Sequence, residues 1–278
     1  SRDDDVLARE ADVDAERRYD RVVSTRQMPG AAWFEGSRLN FTQNILRHEG
    51  ATPDKTAIVA FSEAESKREV SWSELGSSVR KLATAMRSLG IEPGDRVICY
   101  LPNRVEAIIA QLASAAIGAV FSSASPEFGA KTVVDRFGQL DPKLIFAAAS
   151  YRFNGSNKDK RDSIDAVLTS IPSLEHIVYV SSDCAARRPS AAIRLHDWDV
   201  LLEQVAGDAD LFKYEQVGHD HPLWILFSSG TTGLPKAIVQ SHAGILLEHL
   251  KSGHFSAELK PDSTIFFYTT TSWMVWNS

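Results

Sequence analysis

Between residues 71 and 180, apolar strand-like runs and amphipathic helical segments take turns, and this alternation limits the fold more than any other feature of the chain. Ser71 and Glu74 have the spacing of a capping box, and Leu75, Val79, Leu82, Met86 and Leu89 follow at helical intervals until Gly90. Pro93-Gly94-Asp95 reads as a turn and Val97 to Leu101 as a strand. Asn103 and Glu106 then cap a helix carrying Val105, Ile108, Ile109 and Leu112, which Gly118 closes. Ala119 to Ser123 is a strand, and Ser125-Pro126 starts a third helix with proline at its first position. Strand Lys143–Ala148, helix Asp159–Ile171 and strand His176–Val180 continue the series. Strands this apolar are buried on both faces, so the pattern predicts an α/β fold: a parallel sheet with helices on both faces, in βαβ layers.

The flanks are less regular. Residues 1–32 mix charge with small apolar groups and read as an arm or short helices on the surface. Asn40 to His48 reads as a short helix capped by Asn40, and Lys55 to Phe61 as a strand. We therefore divide the chain into residues 1–54, an N-terminal arm with short helices, and residues 55–278, the α/β portion. Ser181 to Asp210, with Pro189, is irregular; Gly244 to His254 reads as a helix and Thr264 to Tyr268 as a strand.

Composition excludes several classes of function. The net charge of −6 over 278 residues gives no basic surface for nucleic acid. No apolar run approaches the roughly 20 residues of a membrane span, and Ser1-Arg2-Asp3-Asp4-Asp5 has no signal-peptide core. The two cysteines, Cys99 and Cys184, form no disulfide framework, and Cys99 lies in an apolar run, which fits a reducing, cytoplasmic setting. Cysteine and histidine spacings match no metal site, no nucleophile elbow is present, and no Gly-x-Gly-x-x-Gly follows a strand.

The chemistry is concentrated after the apolar run Leu223-Trp224-Ile225-Leu226-Phe227, a buried strand. Ser228-Ser229-Gly230-Thr231-Thr232-Gly233-Leu234-Pro235-Lys236 follows, then the apolar run Ala237-Ile238-Val239. Glycines allow a close backbone approach and turn N–H groups inward, the hydroxyls add donors, and Lys236 adds positive charge. Such a loop suits the phosphates of a nucleotide. It is not a Walker A loop: two residues separate Gly230 from Gly233, and Ala237 follows the lysine.

This string resembles the phosphate-binding signature of the adenylate-forming enzymes, the acyl-CoA synthetase and luciferase superfamily. Further stretches are similar to one branch of the acyl-CoA synthetases: Met28-Pro29-Gly30-Ala31-Ala32-Trp33-Phe34, Arg38-Leu39-Asn40-Phe41, Leu101-Pro102-Asn103, Asp135-Arg136-Phe137, Asp141-Pro142-Lys143-Leu144-Ile145-Phe146 and Trp273-Met274 with Trp276-Asn277. The resemblance implies part of the large N-terminal domain of such an enzyme. It implies an AMP-forming acid–thiol ligase that joins acetoacetate to coenzyme A through an acyl-adenylate, with ATP and Mg2+. It places Ser228, Ser229, Gly230, Thr231, Thr232, Gly233 and Lys236 on the ATP phosphates. Trp273 would close a short acyl pocket, with Trp276 and His242 beside it, and Val275 would lie by coenzyme A. Arg152 and Lys158, in a basic cluster with Lys160 and Arg161, are a further coenzyme A candidate.

Ordinary core packing is the alternative for the tryptophans, a structural role for His242, and a solvated face for the basic cluster. Two other functions stay open: a synthetase for propionate or butyrate, and a non-catalytic nucleotide-binding fragment. The family's adenine motif, hinge and small C-terminal domain do not occur in these residues, and apolar Trp273, Met274 and Trp276 sit beside the terminus. Both point to a truncated chain, inactive by itself, whose partners are small molecules.

Overall fold

The computed structural model describes residues 13–25, 27, 30–63, 67–180, 193–205, 207, 211–228, 233–260 and 262–277. Short strands come first: β1 (Ala15–Arg17), β2 (Arg21–Val23), β3 (Trp33–Glu35) and β4 (Arg38–Leu39), with β1 antiparallel to β4 and β2 to β3. Where residues 1–32 are described, they are thus short strands and not helices, because pairing satisfies the backbone of a surface segment that lacks helical periodicity. Helices α1 (Phe41–Leu46) and α2 (His48–Ala51) follow, then the antiparallel pair β5 (Thr56–Ala60) and β6 (Arg68–Ser71).

The alternating region runs β6, α3 (Trp72–Ser88), β7 (Arg96–Tyr100), α4 (Val105–Ala116), β8 (Val120–Ala124), α5 (Ala130–Phe137), β9 (Leu144–Ala147). A hairpin of β10 (Ser150–Phe153) and β11 (Ser156–Asp159) comes next, then α6 (Arg161–Ser170), β12 (His176–Tyr179), β13 (Arg194–Asp197) and α7 (Trp198–Gln204). Strands β14 (Val217–Gly218), β15 (Pro222–Ser228) and β16 (Lys236–Ser241) and helix α8 (His242–Lys251) complete the chain before a final short turn at Met274–Asn277.

Seven strands form the central sheet in the order β13-β12-β9-β7-β8-β15-β16. Every neighbouring pair is parallel except β15 with β16, so the sheet is mixed at one edge and not wholly parallel as expected. Residues 229–235 are too few for a parallel crossover, which needs a dozen or more, so β16 turns back on β15. Alternate strand residues feed opposite cores. Val97, Cys99, Leu144, Phe146, Val178 and Trp224 pack under α1, α3, α4, α7 and α8. Ile98, Tyr100, Ile145, Ala147, Ile177 and Ile225 pack under α5 and α6. This is the two-residue period of a strand read out on both faces.

Several boundaries differ from the sequence reading. Ser71 Oγ caps α3 through the Glu74 amide at 3.1 Å, but the Glu74 carboxylate turns to Arg68 at 3.0 Å, leaving half a capping box. Asn103 does not cap α4; its Oδ1 accepts a hydrogen bond from Trp276 Nε1 at 3.0 Å, and Arg104 holds the cap position without a side-chain bond. Ser125-Pro126 makes a turn in which the Phe128 amide bonds the Ser125 carbonyl at 3.1 Å, so the helix begins only at Ala130. Thr264 to Tyr268 joins no sheet among the described residues, and Ile265, Phe266, Phe267 and Tyr268 are exposed. Cys99 is free and fully buried, and burial pushes its thiol up to about 12, so it is inert at neutral pH. Cys184 and Pro189 lie outside the described residues.

Candidate functional site

Leu223 and Trp224 anchor β15 in the core, and the strand emerges at Ser228, opposite Lys236 at the start of β16. Ser228 therefore stands at the carboxyl end of a sheet strand, where open α/β sheets bind their ligands. Ser229, Gly230, Thr231 and Thr232 lie outside the described residues. Gly233 has φ +141 with open space where a Cβ would stand, a backbone conformation only glycine adopts without strain. Gln139 Nε2, just beyond α5, donates to the Pro235 carbonyl at 3.1 Å and pins the loop's base. Lys236 is exposed, and its side chain has no hydrogen-bond or ion-pair partner among the described residues. A lysine free at the foot of a donor-rich loop can neutralise an incoming phosphate.

The C-terminal segment crosses the same rim. Ser123 Oγ of β8 donates to the Thr271 carbonyl at 2.6 Å, and Thr271 Oγ1 donates to the Leu101 carbonyl beyond β7 at 2.8 Å. These two bonds carry Trp273 to a small polar cavity of about 10 Å3, shared with Ser123, Arg136, Phe227 and Asn277. That volume admits one water. Arg136 lies over the Phe128 ring with its guanidinium carbon 4.6 Å from the centroid, and burial lowers its pKa. The cavity and the loop are neighbours because Leu226 and Phe227, which line it, lead directly into Ser228.

Other expected residues fall elsewhere. His242 is fully buried at the opposite end of β16 from the loop, so it does not wall the site. Its Nδ1 accepts the Phe41 amide at 3.2 Å, and burial, with the charge of His221, lowers its pKa to about 3. Trp276 is not among the residues lining the cavity; its indole donates to Asn103. Val275 is half-buried in the turn Met274–Asn277. The basic cluster is dispersed: Arg152 pairs with Asn157 and Lys158 with Tyr151, so the two side chains point to opposite faces of the hairpin. Lys160 sits 5.4 Å from the Tyr100 ring centroid, and Arg161 pairs with Asp159 at 3.0 Å. The signal for the hairpin was Asn154-Gly155, the strongest short-range mark of such a turn.

Arg136, Ser123 and Asn277 line the cavity without having been singled out from the sequence. Arg136 and Asn277 lie in stretches that carried the resemblance, but nothing local separates them from ordinary polar residues. A larger cavity, about 60 Å3, lies at the α8 end of the sheet, where Arg17, Arg18 and His219 join a mostly apolar wall that includes Phe34, Leu39 and Leu246. Among the described residues no group of three or more His, Cys, Asp or Glu could hold a metal ion. No described helix is long and apolar enough to cross a membrane.

Residues 46–276 match the family described as AMP-binding enzyme. Among characterised relatives, an acetoacetyl-CoA synthetase of Danio rerio is 40% identical over 272 residues, covering 95% of this chain and 40% of the relative. A malonamoyl-CoA synthetase of Penicillium aethiopicum is 34% identical, covering 94% of this chain and 37% of the relative. The solved structure of an acetoacetyl-CoA synthetase from Streptomyces lividans superposes with a TM-score of 0.90 at 41% identity, covering 99% of this chain and 41% of that one. The chain thus spans about 40% of the length of the relatives it matches.

Proposed function

Because the chain belongs to the AMP-binding enzyme family, we propose that it forms part of an acid–thiol ligase that converts acetoacetate, ATP and coenzyme A to acetoacetyl-CoA, AMP and pyrophosphate. The observation that carries this reading is the exposed Lys236, its side chain without a partner among the described residues, opposite Ser228 and one strand end away from the Trp273 cavity. A carboxylate oxygen of the acid attacks the α phosphorus, and the bond to pyrophosphate breaks. The thiolate of coenzyme A then attacks the acyl carbon, and AMP leaves. Ser228, Ser229, Gly230, Thr231, Thr232, Gly233 and Lys236 hold the β and γ phosphates and take up the charge that moves onto the departing pyrophosphate. Trp273 bounds the acyl pocket by its volume and keeps the acid short.

Mg2+ would accompany ATP and supply positive charge to its phosphates, beside which Lys236 would add its own. The ligase's partners are these small molecules, its place the cytoplasm, and it has no nucleic-acid role. The acids of both named relatives share one feature: acetoacetyl and malonamoyl groups carry a carbonyl oxygen on the β carbon.

ATP–pyrophosphate exchange in the complete ligase tests the proposal. Exchange should require acetoacetate, proceed less well with propionate or butyrate, and fall about 100- to 1,000-fold in Lys236→Ala, the cost of losing one preorganised donor. Near-normal exchange in that variant would remove the loop from the chemistry.

A further inference from the structure

Asn277 is buried, and it lines the polar cavity beside Trp273, Arg136 and Ser123. Gln111 Nε2, from α4, donates to its Oδ1 at 2.9 Å. In this arrangement Oδ1 faces Gln111. The other half of the amide, Nδ2, is buried and has no hydrogen-bond partner among the described residues. Native proteins seldom leave a buried donor unpaired, because it forfeits its hydration without compensation. A donor held by a neighbour's bond at a cavity edge is placed to meet an acceptor that arrives with a ligand.

Resting on the ligase reading above, we propose that Asn277 Nδ2 donates a hydrogen bond to the carbonyl oxygen on the β carbon of the acid, and so selects 3-oxo acids over saturated acids of equal length. The chemistry accounts for the choice in both directions. An acid with that oxygen satisfies the amide, whereas butyrate offers it no acceptor. Sites built this way reject the analogue that lacks the polar group far more strongly than they could by shape. Malonamate offers the same acceptor at the same position, so one donor serves both acids, while Trp273 sets the length.

The test compares kcat/KM for acetoacetate and for butyrate, by ATP–pyrophosphate exchange, in the complete ligase and its Asn277→Leu variant. The wild type should favour acetoacetate. The variant should lower the acetoacetate-to-butyrate ratio about 10- to 100-fold, chiefly by raising KM for acetoacetate, with a much smaller effect on butyrate. Equal losses for both acids, or an unmoved ratio, would make Asn277 a packing residue and overturn the inference. If circular dichroism shows Asn277→Leu misfolded, Asn277→Ala, which only removes atoms, gives the same readout. A wild type that exchanges with neither acid sinks the ligase reading itself, an outcome distinct from a wild type that uses acetoacetate with an unmoved ratio in the variant.

Discussion

At His242 a histidine serves as a helix cap. The Phe41 amide is one of the first-turn N–H groups that α1 cannot satisfy internally, and the buried imidazole accepts it at 3.2 Å. Only the neutral ring can accept, so burial and function agree in lowering its pKa to about 3. The unfolded chain takes up this proton near pH 6.5 and the folded chain only near 3, so the unfolded state binds more protons between those values and stability rises with pH there. This contribution is complete above about 6.5 and is lost as pH falls below it, at up to about 1.4 kcal/mol per pH unit. Urea unfolding at pH 7.5 and pH 5 should show the decline, and His242→Leu should be weaker at pH 7.5 yet fall less steeply. His176, lowered to about 4 by burial beside Arg194 and His196, adds a slope of the same sign that the variant retains. A lone histidine in the sequence carries no sign of this role, because its partner lies some two hundred positions away in the chain.

At the scale of elements, the hairpin β10–β11 shows what local sequence can and cannot specify. Asn154 and Gly155 both take positive φ, 50° and 71°, the geometry a two-residue turn requires. Their amides donate to the Glu63 carboxylate at 2.9 and 2.8 Å, and these bonds lower its pKa. Valine at position 155 would force a β-branched side chain into that conformation. Gly155→Val should cost about 2 kcal/mol in urea unfolding and raise hydrogen exchange across residues 150–159. An unchanged exchange rate there would show that the hairpin does not depend on its turn. The dipeptide was legible in the sequence; the dispersal of Arg152 and Lys158 was not, since it follows from a register that only strand pairing defines. Helix starts behaved alike. Ser71 supplied a readable cap for α3, whereas Ser125-Pro126, an equally good local signal, spent its hydrogen bonds on a turn.

On the scale of the whole molecule, Asn40 ties the N-terminal helices to the sheet's helical layer. Its Oδ1 caps α1 through the Gln43 amide at 3.2 Å. Its Nδ2 donates to the carbonyls of Ala115 and Glu215, each at 2.8 Å, joining the end of α4 to the approach to β14. Asn40→Ala removes the cap and both long-range bonds, one of them buried, so the unfolding free energy should drop by about 3 kcal/mol. A loss near 1 kcal/mol, the value of a cap alone, would show that the long-range bonds contribute nothing. The apolar run Ile265–Tyr268 is exposed and pairs with no strand among the described residues, so its strand-like sequence finds no partner surface there.

Periodicity and turn residues determined the layered α/β class and most of its helices, and the glycine-hydroxyl-lysine string marked residues 228–236 as the candidate phosphate loop, because these depend on neighbours a few positions apart. The antiparallel edge strand, the transfer of His242 from site to cap, and the convergence of Ser123, Arg136, Trp273 and Asn277 on one cavity were decided by tertiary structure alone. Each of those requires knowing which distant segments share a face of the sheet, and no local pattern encodes that.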